Sequence, residues 1–242
     1  MNRKYHLVLK HLCGPRLTGV TTFALTCVVM GLALVCFAQD GEPAAPEPGE
    51  IIVGNLVYAQ GKSAVCFSDQ FVSEYGFRTG QNVRENMQDI DLGDEAIFDY
   101  PFIVMAGEQA FELGDEEKTN LKAYLDRGGF VLASAGCSSR AWALSFTEVI
   151  EELYGDDALT ALEMDHPIFH TLYEIAHVEV RRPSTRDAIY AMQIEGQVRL
   201  IFSPIGLNDT ANAGGGCCCC GGNEIRNAKY INANILAYAL TH

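Results

Sequence analysis

Tyr100-Pro-Phe-Ile-Val-Met105, Gly114-Asp-Glu-Glu-Lys-Thr-Asn-Leu-Lys-Ala-Tyr-Leu-Asp-Arg-Gly-Gly129 and Phe130-Val-Leu-Ala-Ser134 follow one another closely, and their order decides the fold. The outer two are unbroken apolar runs of strand length, the pattern of a strand buried on both faces. The middle segment reads as a helix: acids crowd its first turn, Arg127 closes its last, and Gly128-Gly129 stop it. A strand, a helix and a strand in so short a span predict parallel neighbours joined by a right-handed crossover.

Working outward, Ile51 to Tyr58 reads as another strand, and Asp69 to Tyr75 and Gly80 to Met87 as short stretches of helical character. Ser139 to Tyr154 carries Trp142, Phe146, Val149, Ile150 and Leu153 at helical spacing. Ile189–Ile194 and Gln197–Phe202 flank Glu195-Gly196, a hairpin signal. Glu224 to Leu240 predicts a closing helix with Ile231, Ile235, Leu236, Ala239 and Leu240 inward. Asn227 and Asn234, seven apart on that helix, are expected to make internal hydrogen bonds. The sum is a three-layer, mostly parallel α/β domain over residues 51–242.

The N-terminal part belongs to a different class. Arg3, Lys4, Lys10 and Arg16 form a basic flank, and Leu17 to Gln39 carries no charge. Residues 1–38 therefore read as an export signal cleaved after Ala38, or as a membrane anchor if left uncleaved. Residues 39–50, with Pro43, Pro46 and Pro48, form a linker. The expected location is outside the cytoplasm, in the periplasm or cell envelope, with membrane contact only through the N-terminal segment. The chain has a formal net charge of −14, and loss of the four leader cations would take it to −18. Such a surface repels nucleic acid and anionic lipid.

Four consecutive thiols, Cys217 to Cys220, sit between glycines in the loop that joins the last predicted strand to the closing helix. Cys66 and Cys137 also follow predicted strands, so all six would meet at the carboxyl edge of a parallel sheet, where α/β folds bind ligands. Disulfides are the expectation for an even number of cysteines in an exported domain. The alternatives are free thiols, or a zinc ion or iron–sulfur cluster with Cys66 and Cys137 joined by two of Cys217, Cys218, Cys219 and Cys220. No cofactor is otherwise expected. Asn223, with Glu224 after it, reads as the cap of the closing helix.

Tyr100-Pro-Phe-Ile-Val-Met, Tyr124-Leu-Asp-Arg-Gly-Gly-Phe130, Asp165-His-Pro-Ile-Phe169 and Asn234-Ile-Leu-Ala-Tyr-Ala-Leu-Thr-His242 together resemble the bacterial domain of unknown function 4159 family. The resemblance covers essentially residues 51–242. It implies a flavodoxin-like sheet, related to class I glutamine amidotransferases and trehalose-utilization-type proteins, and supplies no established activity. It also implies that Cys137, just after a central strand, stands where the amidotransferase fold places its nucleophile, with His166 as the candidate activating base. Ala135-Gly136-Cys137-Ser138 lacks the Gly-x-Cys-x-Gly frame of that elbow, and His166-Pro167 reads as a turn. The reading is therefore a binding or assembly module without catalysis, its partner an unidentified ligand or envelope protein. An enzyme using Cys137 with His166, or a bound metal, is the alternative.

Overall fold

The computed structural model describes residues 47–63, 66–183, 188–214, 217 and 224–242. The leader, most of the linker, Cys218 to Cys220 and Asn223 lie outside the described residues. The sheet has seven strands: β1 (Val53–Val57), β2 (Gln88–Asp91), β3 (Phe102–Gly107), β4 (Phe130–Ala135), β5 (Thr160–Ala161), β6 (Tyr190–Ile194) and β7 (Gln197–Ser203). Their order is β2-β1-β3-β4-β7-β6-β5. The first five strands in that order run parallel, β6 runs antiparallel to β7, and β5 runs antiparallel to β6. Among the described residues four α-helices cover it: α1 (Gln70–Thr79), α2 (Asp115–Asp126), α3 (Arg140–Tyr154) and α4 (Ala228–Thr241).

Strand alternation builds the three layers. Phe102, Val104, Phe130 and Leu132 point into one core with Phe71 of α1 and Ile231 and Ile235 of α4. Ile103, Met105, Val131 and Ala133 point into the other with Leu121 of α2 and Trp142 and Phe146 of α3. Because β3 and β4 are buried on both faces, their sequences cannot alternate with polar residues, which is why they read as continuous apolar runs. The expected α/β fold is the observed one.

Local signals set most element ends. Glu117 returns its carboxylate to the Gly114 N–H at 2.8 Å, and Ser139 accepts from the Trp142 N–H at 3.2 Å, starting α2 and α3 respectively. Glu195 and Gly196 both take positive φ, 53° and 79°, the turn geometry that matches strand twist in a two-residue hairpin. Asn234 accepts from the Leu172 and Tyr173 N–H groups and donates to the Tyr173 carbonyl, while Asn227 binds Glu179 N and His177 O. Both asparagines thus fasten the segment before β6 onto α4.

Two expectations are corrected. Residues 80–87 are not helical, because Gly80 ends α1 with φ of 71° and the chain then pairs with Ile51 through the Asn82 carbonyl and the Arg84 N–H. The closing helix starts at Ala228 with Asn227 at its cap position, not at Glu224. Glu224 is drawn away by a tertiary contact at the sheet edge, so it belongs to no helix turn. Two strands had no sequence reading: β2, whose Gln-Asp-Ile-Asp buries only Ile90, and the two-residue β5. Both are edge strands, which have one neighbour and need little apolar sequence.

Candidate functional site

The connection from β1 through α1 leads to β2 on one side, and the chain then crosses back to β3 on the other. The reversal opens a cleft between the carboxyl ends of β1 and β3, the place where open α/β sheets receive ligands. It has a volume of about 440 Å³, and Lys62, Cys66, Gly107, Glu108, Trp142 and Asn208 are among its walls.

Its floor is a buried aromatic pair. Trp142 Nε1 donates to Tyr58 Oη at 2.6 Å, and Tyr58 in turn donates to the Ala106 carbonyl at 2.9 Å. Burial pushes the Tyr58 phenol above its ordinary range, so it stays neutral and keeps its proton on Ala106. These rings come so close to Gly107 that a Cβ there would lie 2.5 Å from Tyr58 Oη and 2.6 Å from Trp142 Nε1. Only glycine fits.

The rear wall is tied across the sheet. The Leu207 N–H donates to Ser134 Oγ at 2.7 Å, and Ser134 passes its own proton to Asn208 Oδ1 at 2.5 Å. Asn208 also accepts at its backbone oxygen from the Ser68 N–H at 2.9 Å, and Asn232 of α4 donates to the Leu207 carbonyl at 2.8 Å. The loop after β7 is thereby fixed to β4, to α4 and to the start of α1.

Cys137 follows β4 on a single tight turn with φ of 52° and ψ of 26°, and Ser138 continues it with φ of 57°. Left-handed backbone at non-glycine residues is costly and gathers at functional sites. The Cys137 N–H donates to Glu224 Oε1 at 2.8 Å, and Thr210 Oγ1 holds Glu224 Oε2 at the same distance. Cys137 Sγ lies 3.4 Å from Glu108 Oε1. Asp209 adds a further acid: it is buried, takes φ of 51°, and accepts twice from Asn212 Nδ2. Burial raises its pKa above the ordinary aspartate value.

Cys66 and Cys217 form a disulfide with a Cα separation of 5.5 Å. Cys66 and one member of the tetrad therefore meet at the carboxyl edge, and Cys137 reaches Glu224 at the same edge. The bond removes Cys66 and Cys217 from the thiolate set considered for a metal. Among the described residues no group of three or more His, Cys, Asp or Glu side chains is arranged to hold a metal ion, and Cys218, Cys219 and Cys220 lie outside them.

His166 is not brought to Cys137. Its Nδ1 accepts from the Ile168 N–H at 3.2 Å, capping the 3-10 turn Pro167–Phe169, and its ring rests 5.7 Å from that of Tyr238 near the end of α4. Cys137 is bonded to Glu224, just before the start of α4. From Ala228 to Tyr238 the helix rises roughly 15 Å, so the two residues stand at opposite ends of it. The spacing His166-x-x-x-His170 falls on that turn, and His170 directs its ring nitrogens to Glu174 and the Met164 carbonyl.

Glu108, Asn208, Lys62 and Tyr58 had no sequence reading as site residues. The signal for Glu108 was present: Gly107-Glu108-Gln109 leaves β3 just as Gly136-Cys137 leaves β4. Asn208 offered no local cue, since its role is set by Ser134, 74 residues earlier.

The sequence profile of a family described as Domain of unknown function (DUF4159) matches residues 54–240, and the chain belongs to that family. No curated protein matches it.

Proposed function

We propose that this member of the family is a non-catalytic binding module of the cell envelope, exported through its N-terminal segment, with the carboxyl-edge cleft as its ligand site. One observation carries the reading. The Cys137 N–H is hydrogen-bonded to the Glu224 carboxylate, which Thr210 holds in place, so an acidic side chain occupies the backbone donor at this turn. The Glu108 carboxylate lies beside the thiol, and the candidate base His166 packs against Tyr238 near the far end of α4. The cleft, in contrast, has the size and the mixture of apolar floor and convergent polar groups that small-molecule sites share.

The second reading, a cysteine enzyme, draws its support from the φ of 52° at Cys137, the sharp strand-to-helix turn on which α/β enzymes display a nucleophile. One experiment separates the two. The wild-type chain and Cys137→Ser are incubated with glutamine and with p-nitrophenyl acetate, and release of ammonia and of nitrophenol is followed. Equal background rates are expected from both proteins. A wild-type rate that disappears in Cys137→Ser overturns the binding reading and promotes the enzyme. Export is tested separately by N-terminal sequencing of the envelope fraction, where a chain beginning at Gln39 is expected.

A further inference from the structure

We infer that the cleft recognises an uncharged, hydroxyl-rich compound of sugar size; this rests on the binding reading above and names the ligand class of the same site. The argument starts at Asn208. The residue is 2 % exposed and lines the cleft. Ser134 Oγ receives the Leu207 N–H and donates to Asn208 Oδ1, the arrangement in which the amide turns Nδ2 away from Ser134. Asn208 Nδ2 is left with two N–H donors and no acceptor among the described residues. The Asn208 side chain lines the cleft and its Nδ2 is not sealed off from it, so these donors are open to a ligand acceptor.

Glu108 supplies the complementary group. A Cβ placed on Gly136 would lie 3.0 Å from Asn208 Nδ2 and 3.1 Å from Glu108 Cγ, so the two side chains approach the same point from two sides. A donor and an acceptor offered side by side suit a hydroxyl, which gives one hydrogen and accepts another. Lys62 adds a further donor, its Nζ anchored 2.5 Å from the Ala110 carbonyl, and the Ser63 hydroxyl and Gln109 amide complete the ring of polar groups.

Competing ligand classes fit less well. Lys62 and Glu108 cancel in charge at the cleft, and Asp209 and Glu224 stand behind them, so an anion meets net repulsion. A flat aromatic ligand needs a ring face to stack on, but Trp142 is fully buried and Tyr58 is 1 % exposed. Many single hydrogen bonds converging from several directions match a compound that carries many hydroxyls.

The test is saturation-transfer NMR on the full chain with glucose and maltose as probes, with glutamine, citrate and AMP measured alongside. Wild type, Asn208→Ala and Glu108→Gln are compared, and thermal melting shows that each variant is folded. Glu108 is exposed, so its variant keeps the fold even if Asn208→Ala weakens it. The expected result is transfer to a sugar in wild type with affinity about tenfold lower in either variant, the loss that follows from one or two hydrogen bonds. Transfer to glutamine, citrate or AMP instead, dependent on Asn208, overturns the hydroxyl assignment and leaves the cleft as the binding site. No transfer to any probe, or transfer unchanged in both variants, overturns the cleft reading together with this one.

Discussion

The two ends of the parallel sheet are built by different rules. At the amino end, turns take the conformations their residues prefer: Gly129 meets the face of Tyr124, the Tyr124 hydroxyl donates to the Tyr100 carbonyl and receives the Phe130 N–H, and Glu195 takes positive φ only because a two-residue hairpin demands it. At the carboxyl end, Ala59, Gln60, Cys137, Ser138 and Asp209 all adopt left-handed backbone without being glycine. Ala59 and Gln60 do so in the tight reversal that pairs Tyr58 with Lys62, whereas Cys137, Ser138 and Asp209 lie in no such hairpin. The difference teaches that one end serves the fold, while the other holds geometry the fold must support at a cost.

The strongest way to break this comparison is to remove the floor of the carboxyl end. Trp142 is fully buried, stacks on Phe146 at 5.2 Å and donates to Tyr58. Trp142→Ala should destabilise the domain by about 3–5 kcal/mol in urea denaturation. Tyr124→Phe at the amino end removes only hydrogen bonds and should cost about 1–2 kcal/mol. Equal losses would show that the two ends share one support.

A smaller effect is expected from the Cys66–Cys217 bond, which is also a carboxyl-end feature. Cys66→Ser should lower stability by about 2–4 kcal/mol, and reductant added to the wild type should reproduce it. A reduced wild type as stable as the oxidised one would show that packing alone holds the loops.

The smallest effect sharpens the comparison by pH. Asp209, at the carboxyl end, has a raised pKa because it is buried, so its contribution favours the fold below the unfolded value and is lost as pH rises through the folded value. His166, at the amino end, has a lowered pKa from burial, so its contribution is present above the unfolded value and is lost as pH falls through the folded one. Asp209→Asn should therefore gain on the wild type as pH rises from the acid range to neutrality, by on the order of 1 °C in melting temperature. Asn also tolerates left-handed backbone better than most residues. A variant that gains at acid pH instead would reverse the assignment.

How much of this was legible follows from where each cause lies along the chain. The unit from β3 to β4 was readable because its apolar runs, acidic first turn and glycine stop are all local. The hairpin around Glu195-Gly196 was readable for the same reason. Glu224 was misplaced because its partners, the Cys137 N–H and Thr210, are supplied by tertiary structure and outweigh a helix start. Positions after predicted strands brought Cys66 and Cys217 to one edge, as observed. They could not reject His166 as a partner for Cys137, because only the run of α4 separates them. The cleft itself rests on Asn208 and Glu108, whose meaning depends on Ser134 and Gly136 in space.

The bond between Cys66 and Cys217 joins points 151 residues apart, so it encloses α1, α2, α3 and every strand after β1 in one covalent ring. A pull applied at the two ends of the domain would pass through the sulfur bridge and leave the ring slack. Full extension would then release only the short segments outside it, roughly 150 Å of chain in place of roughly 650 Å for the domain without the bridge. Under tension the elements inside the ring are shielded, β1 and α4 outside it bear the pull, and the bridge sets how far the protein can stretch.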